Sequence, residues 1–201
     1  MPINRISRAG DDIRYFVDGI ASAKESELFQ KTEQVYGSGT TGIMQNLKAG
    51  VVGGSGTGSP TTELLLRYPI GDIVPIDFDV VEGGNLNRML MSRSCDAENG
   101  TLKVDRCSEW IHESGLPTKV TPINGRVPSE ITTEALAECD VIFGCVDNVV
   151  ARHALNKIAC AYLIPYFDLG VAVKVDVKNR SNVRQAISRC HYVQPDKSCP
   201  L

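Results

Sequence analysis

No run of apolar residues in this 201-residue chain approaches the roughly 20 positions that a membrane-spanning helix needs. The N-terminal stretch MPINRISRAGDDIRYFVDGI is too often interrupted by charge to hold the apolar core of a signal peptide. Basic charge is not in excess either: 21 Lys and Arg stand against 24 Asp and Glu, a formal net charge of −3. Electrostatic binding of nucleic acid usually needs a basic face, so this balance argues against it as the main activity. The three histidines, His112, His153 and His191, lack the spacing of a metal or general-base cluster, and each reads as a surface or helix residue. Cysteine is present without forming a framework. Seven is an odd number, and most lie scattered in apolar segments, as reduced thiols do. These absences point to a cytosolic chain with neither membrane nor nucleic acid as its partner.

What is present is ordinary in bulk, 42% hydrophobic and 22% charged, and long enough for one domain with a substantial core. Residues 1–46 read as an N-terminal helical and loop extension. Asp11 to Phe29 carries scattered apolar positions (Ile13, Phe16, Val17, Ile20, Leu28) suited to one or two short helices, and its charges read as a solvated face. Residues 47–201 read as a nucleotide-binding domain. Its organising stretch is LKAGVVGGSGTGSPTTELLLRYPIGDIVPIDFDVVEGGNLNR, Leu47 to Arg88. A short buried strand ends at Val51-Val52, and a glycine-rich turn follows. Pro60 then suits a first helical turn, where its missing N–H costs nothing. Tyr68-Pro69 and Gly71 stop that helix, and Asp72 to Asp77 forms the next strand.

Glycines at Gly53, Gly56 and Gly58 let backbone amides at a helix N-terminus approach an anion without a side chain in the way. Alone, such a run is weak, because a tight strand-to-helix turn needs no ligand. Context strengthens it. Asp77 ends the next strand, where a nucleotide-binding fold places its ribose-binding carboxylate. Asp77 and Asp79 together at a buried strand end need partners to offset desolvation, and ribose hydroxyls or Mg²⁺ would both serve. Asn85-Leu86-Asn87-Arg88 comes directly after. A dinucleotide dehydrogenase has no use for it there, whereas Arg offers phosphate oxygens a permanently charged planar fork.

Further along, residues 91–100 read as an exposed connection and Thr101 to Ser114 as an amphipathic helix with Lys103 near its start. Val120 to Ile123 is a strand, Ile131 to Glu138 a short helix, and CDVIFGC (Cys139 to Cys145) a buried strand of the continuous apolar type found in parallel sheets. Asp147 follows it and either caps the helix Val149 to Tyr162 or faces a ligand outside the strand ends. Leu163 to Leu169 is the next strand. Ala172 to Val177 and Val183 to Val193 read as later strands, with an antiparallel arrangement open to them. The alternation predicts an α/β, Rossmann-like fold: a mostly parallel sheet with helices on both faces.

Taken together, VVGGSGTGSP, IDFDVVEGGNLNR, TLKVD and GCVDNVVARHALN closely resemble the ThiF/MoeB/HesA family of ubiquitin-activating-type adenylyltransferases, over roughly residues 30–200. The resemblance implies an enzyme that uses ATP and Mg²⁺ to adenylate the C-terminal carboxylate of a ubiquitin-like or sulfur-carrier protein ending in Gly-Gly, releasing pyrophosphate. Carried over by motif, Gly53, Gly56 and Gly58 lie at the nucleotide and Asp77, with Asp79 beside it, holds the ribose. Asn85, Asn87 and Arg88 contact phosphates, Lys103 meets them too, Asp147 holds Mg²⁺ with Asn148 beside it, and Arg152 orders this region. Arg88, Lys103 and Asp147 are the catalytic set. The family also implies a homodimer.

Three departures stand out. Ser55 replaces a family glycine. Lys31 aligns with an N-terminal arginine donated across the dimer, keeping the charge but not the fork. The chain ends at Cys199-Pro200-Leu201, one residue short of a CxxC pair, which reads as a C-terminally shortened form. One cysteine cannot make a tetrahedral zinc site, so no structural Zn²⁺ is expected. Cys145 reads as a core thiol and Cys95 as the more accessible one. Two other readings remain: a non-catalytic partner subunit, and an NAD-dependent oxidoreductase, which NLNR and VDN weaken.

Overall fold

The computed structural model describes residues 3–9, 12–17, 27–37, 39–176 and 183–193. At its centre is β3 (Lys48–Val52), whose side chains alternate between two cores. Ala49 and Val51 face one layer with Leu66, Ile73, Met89, Cys107 and Ile111; Val52 faces the other with Ile76, Leu136, Ile142, Leu155 and Tyr166. Each layer is covered by helices. α3 (Gly58–Arg67) and α5 (Lys103–Glu113) supply the first, while α6 (Glu130–Ala137) and α7 (Val149–Tyr162) supply the second. A strand buried on both faces must be apolar throughout, which is why KAGVV and DIVPID carry no polar alternation.

β4 (Asp72–Asp77) and β7 (Val141–Gly144) flank β3, both parallel to it. Outside β4 run two short collinear segments, β5 (Lys119–Val120) and β6 (Ile123–Asn124), in place of the single strand expected over 120–123. On the far side, β8 (Tyr166–Val175) is parallel to β7, and β9 (Val183–Val193) closes the described sheet antiparallel to β8. The α/β, Rossmann-like, mostly parallel expectation is met. The segment at 172–177 is not a separate strand, because β8 continues unbroken through Val175.

The N-terminal expectation needs correction. Where one or two helices were expected between residues 11 and 29, β2 (Asp12–Val17) is a strand paired with β1 (Ile3–Ala9), a 3₁₀ turn covers Glu27–Phe29, and residues 18–26 of that expectation lie outside the described residues. Ala9 pairs with Asp12. Gly-Asp between runs containing Ile13, Tyr15, Phe16 and Val17 is a two-residue hairpin signal that outweighs a faint helical period. Two short helices follow, α1 (Gln30–Tyr36) and α2 (Thr40–Met44).

Residues 91–100 are exposed at most positions, as expected, but they are not a plain connection. Ser94–Asn99 forms α4, and Met91 and Asp96 are buried. The cause is Arg106 on α5, whose side chain is fully buried. Its Nε donates to the Met91 carbonyl at 2.6 Å, its Nη1 to Glu109 at 2.7 Å and its Nη2 to Glu113 at 2.8 Å, with Asp96 3.8 Å away. A buried guanidinium demands this many acceptors, and meeting the demand draws the 91–96 backbone onto α5. No described helix is long and apolar enough to cross a membrane.

Candidate functional site

β3 has β4 on one side and β7 on the other, and the chain goes from β3 to β4 first and reaches β7 only later. The strand order therefore reverses between β3 and β7. In open α/β sheets, ligands bind outside the carboxyl ends of the strands at such a point. The sequence motifs converge there.

The glycine turn leaves β3 at Gly53, whose φ of +94° is a left-handed conformation that side chains resist. A Cβ on Gly53 would lie 2.6 Å from the Cys145 carbonyl oxygen at the end of β7, and one on Gly58 would lie 1.7 Å from the Gly53 oxygen. Gly53 and Gly58 are thus glycine so that turn, helix and neighbouring strand end can touch backbone to backbone. Gly56 is different. It is exposed, and the aliphatic part of Arg88 lies over it, with Cδ 3.3 Å from where a Cβ would be. Ser55 contributes its carbonyl to the amide and hydroxyl of Ser59, both at 2.9 Å, while its own buried hydroxyl oxygen has no protein partner.

Asp77 ends β4 with only 8% of its surface exposed. One oxygen accepts the Gly54 amide at 2.7 Å and the other the Asp79 amide at 2.9 Å. Lys103, 7% exposed at the first position of α5, points its ammonium between the carboxylates, 2.9 Å from Asp79 Oδ2 and 4.0 Å from Asp77 Oδ2. It is carried there by backbone stitching: the Lys103 amide donates to the Asp79 carbonyl and the Val81 amide to that of Thr101. A buried lysine with two carboxylates is a compensated arrangement, and it fixes cationic and anionic groups beside the glycine turn.

In the NLNR loop the residues part company. Arg88 is exposed, donating to the Gly84 carbonyl and to Asn87 Oδ1. Asn85, expected at phosphates, is buried, and its Oδ1 accepts the Glu82 amide at 3.0 Å, closing its own turn. That oxygen is spent on loop shape. At the end of β7, the helix cap alternative for Asp147 is also corrected. Asn148 caps α7, accepting the Ala151 amide at 2.8 Å. Asp147 stays exposed, with no hydrogen bond or ion pair among the described residues. Arg152 is turned away from this opening, donating from Nη2 to the Val146 carbonyl at 2.8 Å and from Nη1 to Asp168 at 2.8 Å.

Asp168 is what sequence reasoning missed. A lone carboxylate inside YFDLGV, an otherwise apolar strand, must find partners when buried, and that was the available signal. Burial also pushes the Cys145 thiol up to about 11, so it is protonated at neutral pH. Cys95 is exposed on α4. Lys31 is exposed on α1 and donates to Gln34 at 3.2 Å. No cluster of three or more His, Cys, Asp or Glu among the described residues is arranged to hold a metal, and Cys199 lies outside them.

Comparison with known proteins meets this geometry at one point. The ThiF family pattern matches residues 31–200. The chain belongs to the ThiF family. This ThiF chain is 32% identical over 108 residues to the SAMP-activating enzyme E1 of Haloferax volcanii, covering 54% of this chain and 39% of that one. It is 29% identical over 126 residues to the molybdopterin-synthase adenylyltransferase of Salmonella typhimurium, covering 63% and 49%. The chain thus spans about half or less of the length of these curated relatives. In fold it is similar to the tRNA N6-threonylcarbamoyladenosine dehydratase TcdA of Escherichia coli, solved with ATP, at a TM-score of 0.69 and 24% identity, covering 78% of this chain and 66% of that one.

Proposed function

We propose that this ThiF-family site adenylates the C-terminal carboxylate of a ubiquitin-like or sulfur-carrier protein with ATP, releasing pyrophosphate. The observation that carries the reading is the convergence, at one switch point, of the glycine turn, the Lys103–Asp77–Asp79 cluster, Arg88 and an unpartnered Asp147. The relatives named as a SAMP-activating enzyme and an adenylyltransferase support it.

In the reaction, a carboxylate oxygen of the carrier attacks the α-phosphorus. The new bond is O–Pα, the broken bond is the one between Pα and the bridging oxygen, and the electron pair leaves with pyrophosphate. No general base is required, because the carboxylate is already ionised at neutral pH. The protein's task is placement and neutralisation of gathering negative charge. Asp77 would hold the ribose hydroxyls, with Asp79 beside it. The turn, held in shape by the close packing at Gly53 and Gly58, would admit the phosphates at exposed Gly56, and Lys103, Arg88 and Asn87 would meet their oxygens. Asn85 shapes the loop that carries Arg88.

The donor set suits Mg²⁺, which favours oxygen ligands and usually takes only one or two carboxylates beside substrate phosphates. Asp147, next to the Asn148 cap, would hold it, and when bound it neutralises phosphate charge. A homodimer in which Lys31 reaches the partner's phosphates completes the proposal.

The test is exchange of radiolabelled pyrophosphate into ATP, with carrier proteins ending in Gly-Gly. Asp147→Ala and Arg88→Ala should each abolish exchange, since loss of one preorganised contact costs on the order of 10²- to 10³-fold. Normal exchange by a folded Asp147→Ala protein would overturn the assignment. Nucleotide binding without exchange in the unaltered protein would favour the non-catalytic partner reading instead.

A further inference from the structure

Asp168 is 0% exposed, yet the proposed chemistry makes no use of it. In register it lies beside Gly144, the last residue of β7, so it sits directly behind the loop that carries Asp147. Three donors reach it: Arg152 Nη1 at 2.8 Å and Arg189 Nη2 at 3.1 Å on one oxygen, and the Tyr166 hydroxyl at 3.3 Å on the other. Arg152 is the member with a second attachment. Its Nη2 and Nε both donate to the Val146 carbonyl, at 2.8 and 3.3 Å, and its guanidinium is pressed against Gly170, where a Cβ would come within 3.0 Å of Nη2. A planar fork fixed at one edge by a buried carboxylate aims its other edge in one direction only. Here that direction is the peptide immediately before Asp147.

We propose that Asp168 is a positioning residue for the adenylylation step, an inference that rests on the function proposed above. Its carboxylate locks Arg152, Arg152 locks the Val146 carbonyl, and the peptide so held presents the Asp147 carboxylate toward the glycine turn. Asp168 touches neither nucleotide nor carrier. The alternative is that Arg152 is there only to neutralise a buried anion, with the Val146 contact incidental.

Arg152→Lys separates the two. Lysine keeps a cation for Asp168 but cannot bridge to Val146 with a planar fork. The expected result is a pyrophosphate-exchange rate at saturating ATP reduced about 10- to 100-fold, the scale of a misplacement near 1 Å. Affinity for a non-hydrolysable ATP analogue measured without Mg²⁺, where Asp147 has no metal to hold and the glycine turn, Asp77, Lys103 and Arg88 are unaltered, should stay within about threefold. Asp168→Asn should move rate and affinity in the same pattern. Hydrogen–deuterium exchange supplies a readout that does not need turnover: amides 146–149 should exchange faster in both variants while the amides of β3 and β4 keep their protection. Wild-type exchange rates in Arg152→Lys, or rate and ATP affinity falling together, would overturn the inference. If the unaltered protein shows no exchange with any carrier, the proposed function fails by itself. The amide measurement then still decides whether Asp168 holds the loop, and unchanged protection at 146–149 rejects it.

Discussion

Replacing Lys103 with methionine removes one cation and little volume, and the structure sets the size of the consequence. Asp77 and Lys103 are both more than nine-tenths buried, with their charges 4.0 Å apart. At that separation the attraction is about 4 kcal/mol for an effective dielectric of 20. Asp79 is nearer, at 2.9 Å, but its side chain is half exposed. For that pair the value runs from about 1.4 kcal/mol in water to about 6 kcal/mol at a dielectric of 20, and exposure selects the lower end. Against these gains stands the desolvation of the lysine itself, which methionine no longer incurs. Asp77 also keeps its two backbone donors, Gly54 and Asp79. The net loss expected for stranding Asp77 is about 3 kcal/mol, the low end for breaking a buried pair. For a domain of this size that lowers the melting midpoint by about 6–12 °C. Circular dichroism melts at pH 7 measure it, with Lys31→Met, at an exposed position, as a control expected within about 0.5 kcal/mol of wild type. A Lys103→Met midpoint within about 2 °C of wild type would show that the cluster is not electrostatically coupled and would refute the reasoning.

Other outcomes follow from the same structure. Of the described cysteines, Cys95, Cys160 and Cys190 are exposed, whereas burial holds Cys107 and Cys139 at about 12 and Cys145 at about 11. Maleimide at pH 7.5 should therefore label the first three quickly and the second three only on unfolding; rapid labelling of Cys145 in the native protein would contradict its place in the core. Glu113 is held below its ordinary value of 4.5 by hydrogen bonds first from Arg106 and then from Arg93. Its contribution is complete above pH 4.5 and is lost as pH falls through the lower folded value, so Glu113→Gln should lower stability most at neutral pH, leave the most acid pH least affected and so flatten the acid limb of stability against pH. An unchanged acid limb would discount the pair. Gly58→Ala would put a methyl 1.7 Å from the Gly53 carbonyl oxygen. The turn must then open, at a cost of about 3 kcal/mol or more, readable as a lowered urea midpoint.

Much of the fold could be read locally. Strands buried on two faces announce themselves as apolar runs, and β4 and α7 begin and end where the sequence placed them, at Asp72–Asp77 and Val149–Tyr162. The strand Asp12–Val17 is not legible from its own residues because Ile13, Phe16 and Val17 fit a loose helical spacing as readily as a strand, and its pairing with Ile3–Ala9 is what decides. α4 was missed for another reason. SRSCDAENG looks like turn sequence, and what draws it inward is Arg106, which comes later in the chain and whose burial no local window reveals.

The same division holds in the site. Glycines, carboxylates, Asn, Arg and Lys can be recognised as nucleotide-facing residue types from spacing alone, because strand ends and helix starts are local events. Which atoms are already engaged is not local. Asn85 spends its side-chain oxygen on Glu82, Asn148 rather than Asp147 caps α7, and Lys103 sits between two carboxylates that lie 24 and 26 residues before it. Sequence by itself determined the parallel α/β class, the ThiF family and the residue types at the strand ends, since hydrophobic period and short motifs act over a few residues. Only the tertiary structure decided which side chains remain unengaged at the switch point and that a buried Asp168 stands behind Asp147, because a buried charge takes its partners from whatever strands the fold lays beside it.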